Sequence, residues 1–179
     1  EADKVIYDQK TKRLHAEGNI RLTDAEGKVT YANVMDLSDD YRDGFVDSLR
    51  VDTADATRMA ATRADRSAGN YTVFENGVYT ACAPCKDDPK KPPLWQVKGA
   101  RIIHDQTDKM LYFENAQLEF FGVPMAYLPY FSTPDPTVKR KTGFLMPGFS
   151  SVSNYGFGME IPFYWAIAPD YDATFNQRF

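Results

Sequence analysis

Hydrophobic and polar residues alternate along most of this chain. Leu14, Ala16, Gly18, Ile20 and Leu22 are interleaved with His15, Glu17, Asn19 and Arg21. A period of two places one set of side chains on an apolar face and the other in water, the pattern of a half-buried β-strand. The same alternation runs through Tyr31 to Leu37 and Phe45 to Val51, divided by the polar turns Ser38-Asp39-Asp40 and Arg42-Asp43-Gly44. The pattern predicts a run of short antiparallel strands, each with one greasy face.

The strands are also repeated. Tyr7-Asp8-Gln9, followed by Leu14-His15-Ala16-Glu17-Gly18-Asn19-Ile20, has a counterpart in His104-Asp105-Gln106, followed by Leu111-Tyr112-Phe113-Glu114-Asn115-Ala116. The Asp precedes the Glu by the same interval in both, and Leu holds the same place between them. A looser third copy runs from Ala64-Asp65 through Phe74-Glu75-Asn76-Gly77-Val78, its interval stretched by one residue, which predicts a bulge or a longer turn. Each copy reads as a hairpin.

One such sheet cannot leave its apolar face in water, so it must close as a sandwich, a roll or a V-shaped trough. The side chains expected to line the inside are Leu14, Ala16, Ile20, Leu22, Met35, Leu37, Phe45, Leu49, Val51, Phe74, Leu111 and Phe113. Small residues at expected inward positions, Ala16, Gly18, Ala32 and Ala60, suit either room for a ligand or close packing of two sheets. Periodicity does not separate a packed core from a trough holding acyl chains.

The texture changes after Tyr130. Ser132-Thr133-Pro134-Asp135-Pro136 has linker composition, the basic run Lys139-Arg140-Lys141 follows, and from Thr142 to Ala168 the only charged residue is Glu160. The expected organisation is a repeat domain over 1–131, a linker over 132–141 and a distinct unit over 142–179. In that last unit Tyr155, Phe157, Met159, Ile161, Phe163, Trp165 and Ile167 occupy alternate positions, with Gly156, Gly158, Glu160, Pro162, Tyr164 and Ala166 between them. An apolar face opposite a glycine-rich, weakly polar one is what a transmembrane barrel strand requires. Gly143 to Ser150 reads as a first spanning strand, Tyr155 to Ile167 as a second, and Ala173, Phe175 and Phe179 begin a third after the Ala168-Pro169-Asp170 turn. Two or three strands cannot close a barrel, and open edges are not tolerated in lipid, so the sequence is expected to be a fragment of a longer chain.

Composition narrows the classes. Aromatics make up 14% of the 179 residues, with 11 Gly and 11 Pro, and the mean hydropathy is −0.48, which suits strands and turns. No apolar stretch reaches the ~18 residues of a membrane-crossing helix, so membrane contact falls to strands. A net charge of −4 with short, isolated basic runs gives no footprint for nucleic acid. No signal peptide is visible at Glu1, which decides little, because a mature secreted chain would have lost its own. No Gly-x-Ser-x-Gly and no His-bearing constellation is present, so no catalytic residue, cofactor or enzymatic activity is expected. Cys82-Ala83-Pro84-Cys85 has redox-motif spacing without a thioredoxin-like βαβ pattern. With two His and no second Cys pair, metal binding is not expected; an oxidising compartment would favour disulfides.

The Leu-x-Ala-Glu-Gly-Asn-Ile repeat, the block Val123-Pro124-Met125-Ala126-Tyr127-Leu128-Pro129-Tyr130-Phe131, and Lys139-Arg140-Lys141-Thr142-Gly143-Phe144-Leu145-Met146-Pro147 resemble the LptD family of lipopolysaccharide-assembly (OstA-type, organic-solvent-tolerance) proteins. The resemblance covers essentially the whole chain. The repeat alone is shared with periplasmic bridge proteins of the same pathway; the two later blocks are much more specific.

The resemblance implies an all-β fold of the Gram-negative envelope: a V-shaped β-jelly roll, or β-taco, followed by the first strands of an outer-membrane barrel. It implies a periplasmic trough that shields lipopolysaccharide acyl chains, taken from the bridge protein LptA by strand pairing near Lys4 to Asp8. The implied partners also include the plug lipoprotein LptE, the barrel-assembly machinery and the outer membrane itself. Pro147 and Pro162, which cannot donate ladder hydrogen bonds, would weaken a laterally opening seam, the less favoured alternative being that each sits at a bulge or strand end. Lys139, Arg140 and Lys141 would meet lipid A phosphates, or would simply be solvated charge at the membrane boundary. The resemblance also implies pairing of N-terminal cysteines with cysteines at the far end of the chain. Cys82 matches such a residue, Cys85 departs from the pattern, and a bond between the two stays open. A soluble periplasmic lipid-binding bridge protein is the alternative.

Overall fold

A computed structural model describes the chain apart from residues 24–26, 54–56, 81, 83–90, 136–137, 139, 146–147 and 153–155. Among the described residues every regular element is a strand. A nine-stranded antiparallel sheet runs in sequence order through β1 (Lys4–Asp8), β2 (Arg13–Thr23), β3 (Val29–Ser38), β4 (Gly44–Asp52), β5 (Arg58–Ser67), β6 (Tyr71–Thr80), β7 (Trp95–Asp105), β8 (Met110–Phe120) and β9 (Val123–Pro134). A second sheet contains β10 (Gly143–Phe144), β11 (Gly148–Val152), β12 (Gly156–Ala168) and β13 (Tyr171–Arg178).

The repeated Asp and the repeated Asn have separate structural jobs. Asp8 Oδ1 accepts the N–H groups of Lys10 and Thr11, and Asp105 Oδ1 accepts those of Thr107 and Asp108. Each carboxylate thereby closes a hairpin turn through its own downstream backbone. The turns end on Lys12 and Lys109, both at positive φ, and neighbouring turns bond to one another, Asp39 N–H to Lys12 carbonyl at 2.9 Å and Asp135 N–H to Lys109 carbonyl at 3.0 Å.

In mid-strand, Asn19 (φ 47°), Ser48 (φ 53°), Asn76 (φ 49°) and Asn115 (φ 50°) sit in the left-handed region on β2, β4, β6 and β8. These residues stand in one row across the sheet, as the registers on either side of them show. Each bends its strand and interrupts the ladder, so the row is a crease that folds one sheet into two facing wings. Asn tolerates this backbone far better than β-branched residues do. The stretched third repeat is explained here: Asp65 lies inside β5 rather than in the following turn, so its interval to Glu75 spans a different path.

Facing inward, residues paired or adjacent in register form two rows. Ala16, Met35, Val46, Ala64, Phe74, Ile102, Phe113 and Phe131 line one wing; Ile20, Ala32, Leu49, Ala61, Gly77, Gly99, Ala116 and Leu128 line the other beside the crease. The outer face is charged, as with Arg63 bonded to Asp47 and Asp65. On that face Glu119, though buried, is satisfied by Lys98 Nζ at 2.9 Å and Gln96 Nε2 at 2.6 Å.

The crease is open to a direct check. Asn115→Gly and Asn115→Val both lose the Tyr127 hydroxyl bond to Asn115, so their difference isolates the backbone. Valine is expected to cost about 1–3 kcal/mol more than glycine in urea denaturation; equal stabilities would mean that the left-handed geometry is not required.

Candidate functional site: an apolar trough continued by a two-faced sheet

The space between the wings is filled at one end and open at the other. At the β6–β8 end the chain packs itself: Ile102 is fully buried, Tyr79 meets Trp95 at 6.2 Å and Phe113 at 5.9 Å between ring centroids. Gly77 and Gly99 serve this packing, since a Cβ on Gly77 would lie 2.5 Å from Ile102 Cδ1. At the β2–β5 end lies a cavity of about 410 Å³, whose apolar lining includes Leu22, Met35, Leu37, Leu49, Val51 and Phe74. That volume is within the ~300–1,000 Å³ of ordinary ligand pockets.

The sequence-predicted lining thus divides. Leu22, Met35, Leu37, Leu49, Val51 and Phe74 border the cavity; Ala16, Ile20, Leu111 and Phe113 belong to the buried core, and Leu14 pairs with Leu37 on the inner face. Phe45 is a correction. It pairs with Asp36 and Asp65 on the outer face, and the Arg63 guanidinium lies 4.2 Å above its ring. Ala60 likewise faces outward, opposite Arg50, while Ala61 takes the inner position. Both follow from the crease, where the spacing of inward residues lengthens from two to three, Val46 to Leu49 on β4 and Ala61 to Ala64 on β5. Counting straight through it assigns the wrong face.

Polar residues that sequence reasoning passed over gather at the cavity mouth. Thr23, Lys28 and Thr30 border it from one wing, and Arg66, Thr72, His104 and Gln106 from the other. His104 Nε2 meets Asp135 at 2.6 Å. Arg66 Nη2 donates to Gly69 carbonyl at 3.1 Å and Gln106 Oε1 at 3.2 Å, whereas its buried Nε has no hydrogen-bond partner among the described residues. In the sequence these residues look like turn chemistry; the signal available was the repeat register, which sets Arg66 and His104 in line with inward Leu37.

An aromatic chain leads out of the first sheet. Phe113 contacts Phe131 at 5.8 Å, Phe131 contacts Phe144 at 6.4 Å, and Phe144 contacts Phe163 at 5.1 Å between centroids. Thr133 Oγ1 donates to Phe144 carbonyl at 3.1 Å, tying β9 to β10. In the second sheet Phe144, Phe163 and Phe175 stand in one row on a face shared with Trp165 and Ala173. Trp165 and Phe175 are about half exposed, at 48% and 53%. The opposite face carries Glu160 bonded to Arg178, and Tyr164 bonded to Asp172.

The remaining candidates have distinct settings. Pro162 lies in β12, and its carbonyl accepts Leu145 N–H at 2.9 Å. A strand residue's N and O point to the same side, so its missing donor faces the β10–β11 flank, where that flank is interrupted. Pro147 lies outside the described residues, as do Lys139 and Cys85. Arg140 is taken up by the β12–β13 turn, donating to the carbonyls of Ala168, Pro169 and Tyr171; Lys141 is half-buried. Cys82 packs against the core, and its carbonyl accepts Arg58 Nη2 at 2.9 Å. Among the described residues no group of His, Cys, Asp and Glu has metal-binding geometry.

A single antiparallel sheet folded over an apolar trough defines an all-β protein of the β-taco or jelly-roll type. No family model matches the chain. Curated relatives do: the LPS-assembly protein LptD of Aeromonas hydrophila is 32% identical over 181 residues, spanning all of this chain and 22% of that protein. The LPS-assembly protein LptD of Sodalis glossinidius is 39% identical over 115 residues, and that of Yersinia pestis is 36% identical over 114 residues, each covering 64% of this chain and 14% of the relative. The chain belongs to the LptD family and spans at most about a fifth of the length of these relatives.

A charged cluster on the outer face beside β1 gives the region a pH signature. His15 lies 3.0 Å from Glu17 and 3.2 Å from Asp36, and Arg13 also pairs with Asp36. The Glu17 hydrogen bond, then that of Asp36, raises the His15 pKa above 6.5. Burial opposes ionisation of Asp36, but Arg13 and His15 outweigh it; His15 and Lys4 lower Glu17. The His15 contribution is full below pH 6.5 and lost as pH rises through the folded value, whereas the carboxylate contributions fade on acidification below their ordinary values of 4.5 and 3.8. His15→Gln is therefore expected to flatten the decline in stability above pH 6.5. Parallel denaturation curves of wild type and variant across that range would contradict it.

Proposed function

We infer that this chain is the lipid-receiving part of an outer-membrane lipopolysaccharide-assembly protein. The observation that carries the reading is the apolar trough joined, through Phe113, Phe131, Phe144 and Phe163, to a sheet with one apolar face. The relatives' printed name, LPS-assembly protein, supplies the class of cargo. Acyl chains leaving water gain about 0.8 kcal/mol per buried CH₂, so the lining needs apolarity and volume rather than specific contacts.

In this reading residues 1–131 form the periplasmic trough, 132–141 the passage, and 142–179 the first strands of a barrel. The edge strand β1, exposed along its length, receives a strand of the periplasmic bridge LptA. The lipoprotein LptE plugs the completed barrel, which the barrel-assembly machinery inserts into the outer membrane. Pro147 and Pro162 weaken pairing beside the exit, and Cys82 and Cys85 take part in disulfide control. A soluble bridge protein would account for the repeats but leaves the exposed row of Phe175 and Trp165 without a purpose. No catalytic role is assigned.

Photo-crosslinking in the full-length protein tests the trough. Probes at Leu37, Leu49 and Val51 are expected to label lipopolysaccharide, while a probe at outward Phe45 is not; labelling confined to Phe45 would overturn the reading. The barrel assignment is tested separately. Trp165→Arg, on the apolar face, is expected to destabilise the bilayer-inserted protein by up to about 2–4 kcal/mol if near the bilayer midplane, and Thr174→Arg, on the other face, far less. The reverse order would place the lipid on the wrong side.

A further inference from the structure

The outer strand β9 is exposed without interruption from Val123 to Tyr130, and none of these residues carries a charge. Met125 is 66% exposed, Tyr127 and Tyr130 are each 61% exposed, and Phe121 adds a further open ring just before the strand. β1, at the opposite side of the sheet, is exposed as well but sets Lys4 and Asp8 at its two ends. Charge is a common means of keeping an outer strand soluble, and a long uncharged one is a liability in water. Such a strand calls for an apolar or amphipathic occupant.

The strand also restricts what that occupant can be. Tyr127 and Tyr130 pair with the outer-face residues Gln117 and Glu114, whereas Leu128 pairs with inner-face Ala116, so both faces of β9 are open. A protein reaches both faces of an outer strand most directly by adding a strand of its own, and Pro124 and Pro129 take two donors out of such a ladder. A fluid amphipathic phase needs no ladder. Tyrosine suits it, apolar in the ring and polar at the hydroxyl, as in the aromatic belts of membrane–water interfaces. Position agrees with chemistry: Thr133 donates to Phe144 carbonyl, and a Cβ on Gly143 would lie 2.5 Å from Pro134 Cδ. β9 thus abuts the sheet that exposes Trp165 and Phe175 on its apolar face.

We propose that β9 is a membrane-resting edge, its Met125, Tyr127 and Tyr130 lying in the phospholipid headgroup region of the leaflet that faces the trough. The inference rests on the barrel reading and adds a lipid contact made by the larger sheet itself, before the spanning strands begin. The two prolines have a use in this setting, because headgroups and interfacial water satisfy the backbone groups that a ladder would otherwise take. An interfacial β9 also holds the end of the trough at the membrane surface, so a hydrocarbon chain leaving the interior need not cross open water between the two sheets.

The test uses the full-length protein with its lipoprotein partner in vesicles of phosphatidylethanolamine and phosphatidylglycerol free of lipopolysaccharide. The photoreactive residue p-benzoylphenylalanine replaces one side chain at a time, and its adducts are identified by mass spectrometry. Probes at Met125 and Tyr130 are expected to capture phospholipid, whereas a probe at Ile6, also exposed but on β1, is not. The double variant Val123→Asp, Tyr127→Asp is expected to lower phospholipid capture at Met125 about tenfold, because two apolar side chains leave the interface. Unchanged capture by a probe at Trp165 guards against misfolding of that variant. Capture of protein alone at Met125 and Tyr130, whether another segment of the full-length chain or another subunit, would overturn the proposal. Equal phospholipid capture at Ile6, or indifference to the two Asp substitutions, would do the same. The Trp165 probe keeps the two ideas apart: if it captures phospholipid while Met125 and Tyr130 do not, only the membrane-resting edge falls; if none of the three does, the barrel reading falls with it.

Discussion

Everything in the larger sheet depends on the row of left-handed residues at Asn19, Ser48, Asn76 and Asn115. Without them, the strands from β2 to β9 would extend as one twisted sheet with an apolar face in water. With them, each chain bends at the same depth, and the sheet becomes its own partner. A sandwich normally needs two sheets and long crossovers; here nearest-neighbour hairpins alone build an inside. The cost is local strain, about 1–3 kcal/mol for each non-glycine residue held there. It is offset by burying Ile102, Phe113, Ala116 and their neighbours, all at or near zero exposure.

The crease also decides where the interior is closed. Small residues beside it, Ala61, Gly77, Gly99 and Ala116, let the wings approach, and Ile102 fills the space at Gly77 and Gly99. Toward β2–β5, Leu37, Leu49 and Val51 face a cavity that Phe74 and Tyr41 border without filling. The same architecture is thus packed at one end and hollow at the other. From the core end the aromatic chain passes to Phe144 and Phe163, so the filled part forms the joint with the second sheet.

Much of this was legible in the sequence. Alternation showed the strands and repeated Asp showed the turns, whereas Ser132, Thr133 and Pro134, which read as linker by composition, continue β9 and pair with Tyr112, Leu111 and Met110. Phe45 was misplaced because period two resets at Ser48, and nothing local in Asp47-Ser48-Leu49 announces a left-handed residue. The roles of Arg66 and His104 were hidden for a related reason: an inward charge beside a turn looks like surface until the opposite wing is known. Arg140 in a basic run gave no sign that three turn carbonyls would claim it.

A folded single sheet keeps two edges, and here they differ. β1 offers Lys4-Val5-Ile6-Tyr7-Asp8 without proline or bulge, paired to β2 in unbroken register and exposed throughout. β9 is broken twice: Pro129 stands opposite the crease residue Asn115, and Pro124 borders the register shift at Leu118 and Glu119. Its far end is tied to β10. Prolines at irregular positions remove donors from an edge and discourage a further strand. Of the two outer strands described in the larger sheet, β1 is thus regular and β9 is guarded.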